Sequence, residues 1–65
     1  MDRYVYHIYL TTEQSYITVF GTMLTIDQYT IHIIDRDEKN NLKGEACFYL
    51  DKIIGFTSEK LRKDI

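Results

Sequence analysis

The chain contains no proline and no tryptophan, only one cysteine, Cys47, and only three glycines in 65 residues. A lone thiol excludes an internal disulfide, which is the staple that very small domains commonly rely on. The full set of His and Cys is His7, His32 and Cys47, with none of the close spacings that tetrahedral zinc sites use. Gly21, Gly44 and Gly55 lie far apart, so no glycine-rich loop exists to cradle a phosphate. No apolar run approaches the roughly 20 residues needed to cross a bilayer as a helix. No charge of one sign dominates: eight basic and ten acidic side chains give a net charge of −2, which argues against a broad electrostatic footprint for nucleic acid. With no charged and apolar leader at Met1–Tyr4, the expected compartment is the cytoplasm.

Hydrophobic residues make up 45% of the chain, well above the disordered range, and aromatics 14%. The length allows one domain, spanning residues 1–65. A domain of this size buries only about 60% of the surface its unfolded chain exposes. Six tyrosines and three phenylalanines exceed what so small an interior can hide, so several are expected on a face that meets a partner. Marginal size, no staple and surplus aromatic rings together point to a homo-oligomer.

Alternation with period two dominates the pattern, and β-branched and aromatic residues are dense. A first strand from Tyr4 to Thr11 places Tyr4, Tyr6, Ile8 and Leu10 on one face and Val5, His7 and Tyr9 on the other. A second run, Tyr16 to Thr25, is interrupted by Gly21, the mark of a bulge or sharp bend. A third, Tyr29 to Asp35, carries Ile31 and Ile33 on one side. The charged, Asn-containing stretch Arg36–Asn41 reads as a hairpin loop. A fourth strand is expected from about Lys43 to Leu50 and a fifth from Lys52 to Thr57. Ser58 to Lys63 has the composition of a short capped helical turn. The expected fold is all-β: a five-stranded, strongly bent small barrel followed by a C-terminal helical turn.

Gly21 through Ile26-Asp27-Gln28-Tyr29 and on to Ile33 resembles the core of the Sm-like family, which includes the bacterial Hfq type. There a bent strand carries Gly, then an apolar-Asp-polar-aromatic turn, then an alternating strand. Phe48 to Phe56 is similar to that family's last two strands, and the resemblance spans roughly residues 5 to 57. It implies a ring-forming small barrel, SH3-like in shape, with RNA contacted by Asp27, Gln28 and Tyr29, the last by base stacking. Subunits in such a ring pair through the edges of the last two strands, here Glu45 to Phe56. Tyr4, Tyr6, Phe48, Tyr49, Ile54 and Phe56 are the expected interface residues.

The chain departs from the family's pattern where function is carried. The first strand starts almost at Met1 with no preceding helix, and the turn from Thr11 to Ser15 is longer than usual. Leu50 and Asp51 stand where the Hfq type has a basic residue and a histidine, and Ile31 stands where Sm chains often have Asn. An acidic side chain at a phosphate-facing position repels RNA.

No residue set suggests catalysis. Asp27 is better explained as a turn residue bonding its own backbone, Glu45 and Asp51 as solvated charges at strand ends, and Cys47 as a small packed side chain. His7 and His32 read as half-exposed strand positions. The basic cluster Lys60, Arg62 and Lys63 is balanced by Glu59 and Asp64, as in a solvated helix end. The expectation is a binding module with no cofactor, no metal and no small-molecule substrate. Its partner is RNA at a degenerate Sm-like site. The alternative is a protein, bound by a small acidic inhibitor or adaptor of the kind that phages and mobile elements encode.

Overall fold

The computed structural model describes residues 2–11 and 15–61. Within these the chain is all-β, with six strands: β1 (Tyr4–Leu10), β2 (Tyr16–Gly21), β3 (Met23–Ile26), β4 (Thr30–Arg36), β5 (Leu42–Tyr49) and β6 (Ile53–Lys60). A single 3-10 turn, Leu50–Lys52, joins β5 to β6. The strands form two antiparallel three-stranded sheets, ordered β2-β1-β6 and β3-β4-β5.

This corrects the expected five-stranded barrel. The bent second run divides into β2 and β3 at Gly21–Thr22, and each half pairs into a different sheet. Closure also fails at the other side. The 3-10 turn carries the chain from the edge of one sheet to the edge of the other, and no ladder joins β5 to β6.

The expected helical turn from Ser58 is likewise replaced by strand. Ser58, Glu59 and Lys60 pair with Tyr6, Val5 and Tyr4, and the Leu61 amide donates to the Arg3 carbonyl at 2.9 Å. A ladder against an already formed strand outcompetes a short helix, whose nucleation is unfavourable in isolation. Arg62 and Lys63, like Thr12 to Gln14 of the first turn, lie outside the described residues.

The core sits between the sheets where period-two alternation places it. Tyr6 and Ile8 of β1 meet Ile31 and Ile33 of β4, all four buried, with Val19, Leu24, Phe48 and Leu50 packed around them. At Gly21 the β2–β3 junction lies tight against β4. A Cβ there would lie 2.6 Å from Ile33 Cγ2 and 2.7 Å from the Ile34 carbonyl oxygen. Only a residue without a side chain permits that approach. The same carbonyl accepts the Thr22 amide at 2.8 Å, which fixes the junction against β4.

Candidate functional site

The turn from β3 to β4 is built by Asp27. Its Oδ1 accepts the amides of Tyr29 and Thr30, each at 2.8 Å, and the Thr30 hydroxyl bonds both carboxylate oxygens at 3.0 Å. These bonds, the Tyr29 amide foremost, hold the Asp27 carboxyl below the usual carboxylate range. Asp27 therefore organises the turn, as its sequence position suggests, and its oxygens are already engaged by that turn.

The next two residues, Gln28 and Tyr29, face a cleft of ≈ 210 Å³ whose other walls are Tyr49, Leu50 and Asp51. The walls are tied together by the Leu50 amide, which donates to the Tyr29 carbonyl at 2.7 Å. The Thr11 amide, donating to the Lys52 carbonyl at 3.1 Å, anchors the far end of the 3-10 turn. Tyr29 is 68% exposed and Tyr49 66%, so both rings stand in solvent. Neither the Gln28 amide nor the Asp51 carboxylate has a side-chain hydrogen bond or ion pair among the described residues. Among the described residues no cationic side chain lines the cleft. Of the three residues assigned to RNA by resemblance, Gln28 and Tyr29 line the cleft and Asp27 supports it.

The expected interface residues separate. Tyr6 is only 5% exposed and belongs to the core, because β1 turns the Tyr6–Ile8 face inward. Burial raises its phenol above the ordinary value. Tyr4 and Phe48 are partly buried against the same core. Tyr49, Ile54 and Phe56 are exposed, Ile54 by 73%. The free Cys47 is also exposed. This corrects the expectation of a small packed side chain, because the face of β5 that carries Cys47 is uncovered.

Two contacts depend on pairing that the chain order does not reveal. His32 Nε2 lies 2.8 Å from Glu45 Oε2, across β4 and β5, both groups on the outer surface. Glu45 thus stands mid-strand in β5 rather than at a strand end. On the outer face of the other sheet, His7 packs edge-on to Tyr16 at 4.6 Å, and Tyr9 lies 5.4 Å from the same ring. Among the described residues no group of three or more His, Cys, Asp and Glu side chains is placed to hold a metal ion. No helix there is long and apolar enough to cross a membrane.

No protein-family model matches the chain, and neither a curated protein nor a solved structure matches it at a significant level.

Proposed function

We propose that this protein is a non-catalytic binding module that self-associates edge to edge through β5 and β6. The observation that carries this reading is that each of these strands is eight residues long and paired on one side only, β5 with β4 and β6 with β1. The other outer strands are shorter, six residues in β2 and four in β3. A long unpaired edge without proline is a template for another strand. Charge guards the remote ends of these edges, at Lys43, Glu59 and Lys60, and the middle of β5 at Glu45, while Phe48–Tyr49 and Ile53–Phe56 carry none. The exposed apolar groups Tyr49, Ile54 and Phe56 border that uncharged stretch. Pairing β5 of one copy with β6 of the next would satisfy both edges and cover Ile54 and Phe56.

Single-stranded RNA at the Gln28–Tyr29 turn is the second reading. It rests on the Sm-like resemblance and on the exposed Tyr29 ring, which offers a face for base stacking, worth about 1–3 kcal/mol per base. Light scattering with and without a short single-stranded RNA tests both. The expected mass is a multiple of 7.8 kDa that falls toward the single-chain value in Ile54→Lys. A single-chain mass for the parent protein at high concentration refutes self-association. RNA that adds no mass at low salt refutes the second reading.

A further inference from the structure

We infer that the cleft between the β3–β4 turn and the 3-10 turn receives an arginine side chain of a protein partner. This rests on reading the chain as a binding module and names the partner class at one of its sites.

The cleft has the chemistry of a guanidinium receptor. Its ≈ 210 Å³ falls below the roughly 300 Å³ at which pockets for whole small ligands begin, and suits one long side chain. Its lining combines two exposed tyrosines, Tyr29 and Tyr49, with the carboxylate of Asp51 and the amide of Gln28. Neither polar side chain is engaged elsewhere among the described residues. A guanidinium group is planar, stacks on aromatic faces and presents a fork of donors to a carboxylate. It is also more weakly hydrated than an ammonium, which favours arginine over lysine at so open a site. The walls are pre-set by the Leu50-to-Tyr29 backbone bond and by the Asp27 turn, so little ordering is left for the ligand to impose.

Charge decides against RNA at this position. A phosphate placed here meets Asp51 and no cationic lining residue, so stacking on Tyr29 is opposed by repulsion. The larger cleft, ≈ 310 Å³ between Arg3, Asp35, Arg36, Asp37, Glu38 and Lys43, lacks this bias. There Arg3 and Asp35 already form a two-pronged pair at 2.9 and 3.2 Å, and Arg36 donates to the Asn40 carbonyl. The chain's net charge of −2 complements a basic partner as well.

The test is calorimetric titration of the whole chain with a short Gly-Ser peptide bearing two arginines. Identical peptides carrying lysine or citrulline, and a uridine oligonucleotide, serve as comparisons. Citrulline keeps the shape of arginine and removes the charge. The arginine peptide is expected to bind at least tenfold more tightly than the citrulline peptide. Asp51→Asn, Tyr29→Leu and Tyr49→Leu should each weaken it by about two- to fivefold, the range of an exposed cation–π contact or ion pair. Glu38→Gln, in the loop between β4 and β5, should leave it unchanged. Equal binding of the citrulline peptide, cleft variants that bind like the parent, or no arginine-peptide binding at all overturns the proposal. So does oligonucleotide binding that Tyr29→Leu abolishes. Circular dichroism confirms that each variant is folded, and the light-scattering mass reports separately on self-association.

Discussion

Gly21→Ala should be the most damaging of the three glycine-to-alanine changes in this protein. The new Cβ would meet two atoms at once: Ile33 Cγ2 at 2.6 Å and the Ile34 carbonyl oxygen at 2.7 Å. The first belongs to a side chain that is 1% exposed in the core, and the second to backbone, so neither has room to retreat. Relief requires β2 and β3 to lift away from β4 at their junction. Overpacking of this sort costs about 1–3 kcal/mol. Lifting also strains the Thr22 amide bond to the Ile34 carbonyl, worth about 1 kcal/mol net. Together they amount to about 2–4 kcal/mol, against a core that in domains this small supplies about 3–5 kcal/mol. The glycine's φ is not positive, so a steric and not a conformational penalty is at issue. Urea unfolding followed by circular dichroism measures it. With a slope near 1 kcal/mol/M for a small domain, the midpoint should fall by about 2 M or more, or the variant should be unfolded without urea. Gly44→Ala and Gly55→Ala are the internal controls, since a Cβ at either meets nothing within 4 Å. They should match the parent protein or gain up to about 1 kcal/mol from a stiffer unfolded chain. If Gly21→Ala unfolds at the same urea concentration as Gly44→Ala, the close packing of the two sheets at this junction is wrong.

Two further predictions concern the core and the turn. Ile8→Ala, at a side chain with no exposure, should cost about 2–5 kcal/mol, whereas Ile26→Ala, 54% exposed, should stay within about 0.5 kcal/mol, both read by urea unfolding. Asp27, whose carboxyl is held below the ordinary range by the Tyr29 and Thr30 amides, stabilises the fold above the unfolded carboxylate pKa and loses that effect as pH falls through its lower folded value. Asp27→Asn should therefore lower the melting temperature at pH 6 and flatten its decline below about pH 4, and an unchanged pH profile would disprove the role.

Local pattern made much of this legible. Alternation in β1 and β4 identified the face that carries Tyr6, Ile8, Ile31 and Ile33, because a strand buried on one side only must alternate. Asp27 could be read as a turn builder, and the Arg36–Asn41 loop as a hairpin, because Asp and Asn bond their own backbone and tolerate a left-handed residue. Asp37 accepts the Lys39 and Asn41 amides there, and Asn40 has φ 69°. Alternation does not say which faces are covered, and so it misjudged Cys47. The glycine marked a bend at Gly21, but alternation could not show that the run divides there into strands of two different sheets, a junction packed against Ile33 and Ile34 on a strand met later in the chain. The extension of β6 over Ser58–Lys60 depends on pairing with Tyr4–Tyr6, more than fifty residues away in sequence, where local helix signals carry little weight. His32 and Glu45 become neighbours only through the register of β4 and β5.

The cleft illustrates the same division at the level of function. Gln28 and Tyr29 stand out in the sequence as part of a recognisable turn, but Tyr49 and Asp51 reach them only because the 3-10 turn folds back and donates from Leu50 to Tyr29. That turn has three roles at once. It ends β5, starts β6, and forms one wall of the cleft, with Leu50 packed against the core. The uncharged stretches of both free edges, Phe48–Tyr49 and Ile53–Phe56, flank it directly. In the proposed assembly a neighbouring copy seated on either edge would approach the residues proposed to receive the arginine side chain. Any coupling free energy between the two proposed events would be reciprocal, each altering the affinity of the other by the same factor. The proposed assembly edges and the proposed recognition cleft thus meet at one place, because the three residues Leu50–Lys52 connect them.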